Sequence, residues 1–179
     1  MDRDRLKQLI EGCVAEGEVT LASGKKSDFY VDGRLVTLSC AGSHLVGQAV
    51  LEVARELNVT AIGGPTTGAC PMVSAAGVLA DQAEVPLKLF YVRAAPKGHG
   101  MQKTIEGATL TAQDRCLIVD DVMTSGGSIL RAVENIKAET DAQVVGAFCL
   151  VDREADGREN LEAAGVMFRS LYTRTDLKR

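Results

Sequence analysis

Residues 116–129, Cys-Leu-Ile-Val-Asp-Asp-Val-Met-Thr-Ser-Gly-Gly-Ser-Ile, constrain the fold more than any other part of the chain. Four apolar residues at 116–119 lead into two adjacent acids, then a turn of hydroxyl residues and glycines, then a helical pattern. A short apolar run without polar interruption suits a strand buried on both faces, and such strands belong to parallel sheets covered by helices. The rest of the chain keeps this rhythm. Runs at 59–62, 87–92, 144–151 and 166–171 predict further buried strands, with helices at about 69–80, 127–138 and 158–164. Upstream, Leu6, Leu9, Ile10, Cys13 and Val14 form one helical stripe, and Val46, Val50, Val53 and Leu57 form another in a helix beginning near Ser43. The expected fold is α/β: βαβ units around a parallel central sheet flanked by helices.

The acid–hydroxyl–glycine segment also carries chemistry. Gly126 and Gly127 let the backbone approach an anion, and the N–H groups and dipole of the following helix favour negative charge there. Thr124, Ser125 and Ser128 add hydroxyl donors, while the lysine of a triphosphate-binding P-loop is missing, so the expected ligand group is a phosphate monoester. Asp120 and Asp121 lie at the carboxyl end of the strand, where open α/β sheets bind ligands, beside a phosphate that would repel them. Vicinal sugar hydroxyls would reward that placement by donating to the carboxylates, so a ribose phosphate satisfies both halves of the motif. Simple capping of the next helix explains the acids less well, because the glycines and further hydroxyl residues intervene.

A loop at about 93–110 has no regular period and gathers Arg93, Lys97, His99 and Lys103 into a chain of net charge −4. Loops of that length are usually functional or disordered. With glycines at 98, 100 and 107, this one reads as a mobile cationic lid that stabilises a departing, highly charged group such as diphosphate. His44, the other histidine, falls in a helical pattern and reads as structural. The segment 18–36 contains Gly24, Gly33 and two brief β-like stretches, and reads as a small hood or flap over one end of the sheet.

The length of 179 residues and the absence of repeats or linkers predict one domain spanning 1–179. The acidic balance argues against a nucleic-acid partner. No apolar run approaches the ~20 residues that span a bilayer, and the first residues lack a secretory core, so the expectation is a cytoplasmic protein without a membrane partner. Five cysteines, none spaced C-x-x-C, suggest reduced and mostly buried thiols.

Residues 118–128 match the motif of type I phosphoribosyltransferases that binds phosphoribosyl diphosphate (PRPP), and the chain resembles that family. More narrowly it resembles the orotate phosphoribosyltransferases, through Thr20-Leu-Ala-Ser-Gly-Lys-Lys-Ser27 with Phe29-Tyr30-Val-Asp32, Gly63-Gly-Pro-Thr-Thr-Gly-Ala-Cys-Pro71, Arg93-x-x-x-Lys97-x-His99-Gly100 and Val151-Asp-Arg153. The resemblance implies transfer of a phosphoribosyl group from PRPP to orotate in pyrimidine synthesis. It implies that Asp120 and Asp121 bind the ribose hydroxyls, that Thr124, Ser125, Gly126, Gly127 and Ser128 cradle the 5-phosphate, and that Arg93, Lys97 and His99 reach the diphosphate. Lys97, His99 and Asp121 would be the catalytic residues. Thr124 and Arg153 would bind orotate, and Mg²⁺ would be carried mainly by PRPP, with no direct protein ligand. A homodimer with shared active sites is also implied, the loop reaching the neighbouring subunit's site. Ala94 and Ala22 depart from the pattern, standing where many relatives carry lysine; Lys25, Lys26 and Lys103 are nearby cations. The alternatives are a phosphoribosyltransferase for another base, against which Arg153 weighs, and a non-catalytic PRPP-binding regulator, against which the absence of added length or basic excess weighs.

Overall fold

The computed structural model describes residues 1–15, 19–20, 26–27, 29–95 and 103–177, with the backbone alone for 19–20 and 26–27. In chain order the elements are α1 (Arg3–Glu11), β1 (Val14–Ala15), β2 (Val19–Thr20), β3 (Lys26–Ser27), β4 (Tyr30–Val31), α2 (Arg34–Thr37), α3 (Cys40–Glu56), β5 (Ala61–Pro65), α4 (Ala69–Gln82) and β6 (Lys88–Val92). They continue with β7 (Ile105–Gly107), β8 (Arg115–Met123), α5 (Gly127–Glu139), β9 (Gln143–Asp152), α6 (Gly157–Ala163), β10 (Phe168–Thr173) and α7 (Arg174–Leu177).

The central sheet has the order β10-β9-β8-β5-β6-β7. Its first five strands run parallel, and β7 joins the edge antiparallel to β6, with Tyr91 opposite Glu106. Strand β8 shows why the apolar run forms a central strand. Cys116 to Val119 are all fully buried, with Leu117 and Val119 in the core beneath α1, α3 and α4, and Cys116 and Ile118 in the core beneath α5 and α6. Side chains alternate faces along a strand, so a chain with a helical layer on each side needs every residue apolar. The amphipathic helices complete the layers. Val46 and Val50 of α3 are fully buried on one side, and Ile129, Val133 and Ile136 of α5 are buried on the other.

Several boundaries differ from the sequence expectation. Helix α3 begins at Cys40 rather than near Ser43, because Ser39 caps it by accepting from the Gly42 N–H at 3.0 Å. Helix α1 stops at Glu11, so Cys13 and Val14 leave the stripe and Val14 pairs in β1 with Val31. Strand β8 extends to Met123 and carries both acids within it, since its edge stays paired with β9 past the apolar run. The 93–110 stretch is not irregular throughout: β7 pairs it to the sheet edge, and residues 96–102 lie outside the described residues. The thiols are less buried than expected. Cys116 and Cys149 are buried, Cys13 and Cys70 half-buried, and Cys40 exposed at the start of α3. Short pairs β1–β4 and β2–β3 and the single-turn helix α2 make up the described part of the N-terminal segment. Among the described residues no helix is long and apolar enough to cross a membrane.

Candidate active site

At the carboxyl ends of β5 and β8, a cleft of about 310 Å³ is lined by Tyr30 to Arg34, Pro65 to Gly68, Asp120 to Val122, Thr124, Ser128 and Arg153. Four segments far apart in sequence thus converge on the position where parallel sheets present ligands. A second recess of about 130 Å³ adjoins it, lined by Asp120 and residues 122–129. Ser128 borders both.

The smaller recess is shaped by a turn at a helix start. Gly126 holds φ 74, a left-handed conformation that costs a side-chain-bearing residue, and this reversal places the first N–H groups of α5 along the recess wall. Helix α6 supports the turn from behind: the Asn160 side-chain amide donates to the Ser125 carbonyl at 3.0 Å, and a Cβ on Gly157 would fall 2.5 Å from the Thr124 carbonyl. Arg131, one turn into α5, donates to the Ser128 hydroxyl at 3.3 Å. That cation lies in an ordinary helical pattern, where the sequence gives it no distinguishing mark.

Of the acidic pair, Asp120 lines both recesses and Asp121 the larger one. Asp121 N–H donates to the Asp120 carboxylate at 3.1 Å, and Val122 N–H to that of Asp121 at 2.9 Å. Burial, then the charge of Asp121, pushes Asp120 up to about 8; burial raises Asp121 as well, against the opposing Val122 N–H bond and the smaller pull of Arg34. Desolvation costs the charged form, so the pair holds fewer than two negative charges at neutral pH. Two glycines make room for it. A Cβ on Gly68 would lie 2.5 Å from one Asp121 oxygen and 2.6 Å from an Asp120 oxygen, and a Cβ on Gly33 would lie 2.7 Å from the other Asp121 oxygen. The peptide between Thr66 and Thr67, beside Gly68, is cis.

Arg153 also lines the cleft. Its guanidinium donates to the Phe29 carbonyl at 2.6 Å and reaches the Thr124 hydroxyl at 3.5 Å, bringing together the two residues assigned to one ligand from sequence. Burial, then the nearby charge of Arg174, pulls its pKa below the ordinary arginine value. An anionic ligand group would reverse that penalty. Arg34, which also lines the cleft, is held by Asp32 through bonds of 2.9 and 3.1 Å.

Arg93 sits at the root of the basic loop. It pairs with Glu106 at 3.1 Å, and its N–H donates to the Thr104 carbonyl at 2.9 Å, closing the stem. It lines a narrow recess with Thr66, Ser128 and Arg131, next to the cradle. Lys103 is exposed, whereas Lys97 and His99 lie outside the described residues, as do Ala22 and Lys25. Sequence reasoning missed the lining roles of Gly33, Gly68, Arg34 and Thr66. For Gly68 and Thr66 the only signal lay in their position in the matched stretch 63–71; Gly33 was marked only as a glycine of the 18–36 segment, and nothing local marked Arg34.

A family model for the phosphoribosyl transferase domain matches residues 42–171. The orotate phosphoribosyltransferase of Aquifex aeolicus is 40% identical over 99% of this chain and 98% of its own length. That of Corynebacterium glutamicum (strain R) is 42% identical over 98% of this chain and 93% of its own. The chain belongs to the orotate phosphoribosyltransferase family. Among solved members, the Mycobacterium tuberculosis H37Rv orotate phosphoribosyltransferase in complex with 5-phospho-α-D-ribosyl 1-diphosphate superposes with a TM-score of 0.81 at 33% identity, covering 99% of both chains. The α/β fold with a mostly parallel sheet is that of this family.

Proposed function

We propose that the protein transfers the 5-phosphoribosyl group of PRPP to orotate, giving orotidine 5′-monophosphate and diphosphate in pyrimidine nucleotide synthesis. The observation that carries this reading is the pairing of two unlike subsites in one cleft. A half-buried acidic pair sits beside a glycine-turn cradle, and the planar guanidinium of Arg153, 3.5 Å from the Thr124 hydroxyl, lines the same cleft. A phosphorylated sugar suits the first and a carboxylate-bearing planar base the second.

In this reading the cradle of Thr124, Ser125, Gly126, Gly127 and Ser128 binds the 5-phosphate, and Asp120 and Asp121 accept from the ribose hydroxyls. Thr124 and Arg153 orient orotate through its carboxylate, so that a ring nitrogen faces the anomeric carbon. The nitrogen–carbon bond forms as the bond to diphosphate breaks, and the negative field of Asp121 stabilises the positive charge growing on the sugar. Arg93, with Lys97 and His99, takes up the charge of the departing diphosphate. Orientation and charge placement supply the rate, with no covalent enzyme intermediate.

The residues fit a substrate-borne magnesium ion better than a protein-held one. Among the described residues no group of three or more His, Cys, Asp or Glu side chains is placed to hold a metal. Asp120 and Asp121 supply the hard oxygens that Mg²⁺ prefers and would be the residues to receive it beside the bound sugar. Bound there, the ion would neutralise leaving-group charge.

A single phosphoribosyltransferase domain over 1–179, acting in the cytoplasm as a homodimer with Lys97 and His99 supplied by the neighbouring subunit, completes the proposal. Leu35 on α2, Leu38 directly after it and Val78 on α4 support it by exposing 62%, 72% and 60% of their surface, the two helices touching each other. The test is loss of orotate absorbance with purified protein, PRPP and Mg²⁺, wild type beside Lys97→Ala. Consumption that collapses in the variant is the expected result; a folded wild type that binds PRPP and leaves orotate untouched overturns the choice of base.

A further inference from the structure

Three distant segments meet at Phe29, beside the base subsite. The ring of Phe29 is buried at 2% exposure, and its carbonyl is the acceptor that receives the Arg153 guanidinium at 2.6 Å. Over that ring lies the guanidinium of Arg174, 5.5 Å from the centroid, within cation–π range. Arg174 is the first residue of α7, which the sequence reading did not anticipate and the proposed chemistry does not use.

A second tie joins α7 to the same place. Glu154, directly after Arg153, adopts φ 52, and its carboxylate accepts from the Thr175 N–H at 2.8 Å and hydroxyl at 2.6 Å. On the other side of Arg153, buried Asp152 accepts from the Glu154 N–H at 2.9 Å and from Arg158 at 3.3 Å. The short helix is itself well fixed. Thr173 and Asp176 form a reciprocal cap, with Thr173 N–H donating to Asp176 at 2.7 Å and Asp176 N–H to the Thr173 hydroxyl at 3.2 Å. Leu177 at its end is buried in the core that contains Leu6 and Ile10.

We infer that α7 is a positioning element of the base subsite: Arg174 through Phe29, and Thr175 through Glu154, hold the Arg153 guanidinium where a carboxylate-bearing base meets it. The inference rests on the reading of Arg153 as the partner of that carboxylate. An arginine head on a long stem recognises a planar carboxylate only if its fork is held in orientation. The Phe29 carbonyl provides one fixed point, and it stays fixed because its ring is clamped between the core and Arg174. The Glu154–Thr175 tie fixes the backbone that carries the stem. The consequence is selectivity: α7 favours a base with a carboxylate over a neutral pyrimidine and does nothing for PRPP.

Steady-state kinetics of Arg174→Ala, Arg174→Lys and Glu154→Ala, with Arg153→Ala as reference, test this. The expected result for Arg174→Ala and Glu154→Ala is an orotate KM raised about five- to tenfold, with the PRPP KM and kcat within about twofold of wild type. The preference for orotate over uracil, measured as a ratio of kcat/KM, falls by the same factor. Arg174→Lys, which keeps a cation over the ring, recovers most of the loss. If Arg153→Ala raises the orotate KM while neither α7-tie variant does, the inference is overturned and the reading of Arg153 stands. If Arg153→Ala leaves it unchanged, the reading of the base subsite falls and the inference with it. A parallel rise in both KM values, or no recovery in Arg174→Lys, shows a general structural role and also overturns the inference. Should Arg174→Ala not fold, as judged by its melting curve, Glu154→Ala decides through the same split.

Discussion

Asp120 is held in a position that favours its function over the stability of the unliganded protein. Its ordinary pKa is 3.8 and its folded value is about 8, so between those limits the folded chain binds more protons than the unfolded one. Stability contributed by this site therefore falls as pH rises from about 4 to 8, and at pH 8 most of the penalty is in place. Asp120→Asn removes it. The expected outcome is a melting temperature higher by several degrees at pH 8 and unchanged near pH 4, with loss of turnover, read by calorimetry and the orotate absorbance assay on one preparation. Gly68→Ala predicts a different combination. A methyl there would sit 2.5 and 2.6 Å from carboxylate oxygens of the acidic pair. Displacing them by a few tenths of an ångström to an ångström is expected to lower kcat/KM for PRPP on the order of 100-fold, with little change in melting temperature. A Gly68→Ala variant as active as wild type would show that the pair needs no fixed position.

Strand and helix pairing has its own anchor, at the end of the sheet opposite the cleft. Asp114, only 4% exposed just before β8, accepts from Lys88 on β6 at 2.7 Å, from the Thr111 N–H at 2.7 Å and from the Thr60 hydroxyl at 3.3 Å. The Lys88 ammonium, the largest influence, together with the Thr111 donors, lowers its pKa to about 2. A depressed carboxylate stabilises the fold fully above its unfolded pKa, and that stability disappears as pH falls through about 2. Because Lys88 is 40% exposed, solvent screening limits the contribution to about 1–2 kcal/mol. Asp114→Asn should therefore melt earlier at pH 7, the gap from wild type should close between pH 4 and 2, and kinetic constants should not move. This anchor was not legible in the sequence, since Asp114 looks like any loop acid. The strands and long helices were legible, because double-sided burial imposes unbroken apolar runs and one-sided burial imposes stripes. The cradle was legible because its glycines and hydroxyls are contiguous. Single-turn α2 and α7 and three-residue β7 are too short to show a period, and the end of β8 was misjudged because its pairing with β9 outlasts its apolar residues. Arg34, Gly33 and Gly68 acquire their roles only when separate segments converge.

For the whole molecule, the proposed sharing of active sites makes a quantitative prediction. Equal mixing and re-association of Lys97→Ala and Arg153→Ala subunits yields half heterodimers, each with one intact site out of two, so activity should recover to about one quarter of wild type. No recovery despite confirmed subunit exchange would place the loop in the same subunit as the cleft it serves. The placement of Tyr30 has a practical consequence. The chain contains three tyrosines and no tryptophan. Tyr91 and Tyr172 have hydroxyls engaged with Ser74 at 2.8 Å and the Arg3 carbonyl at 2.6 Å, whereas Tyr30 is the one that lines the cleft. No indole masks phenol emission in this chain, so the native protein carries an optical reporter in the wall of its own cleft, and quenching of its fluorescence would follow the arrival of a ligand without any engineered label.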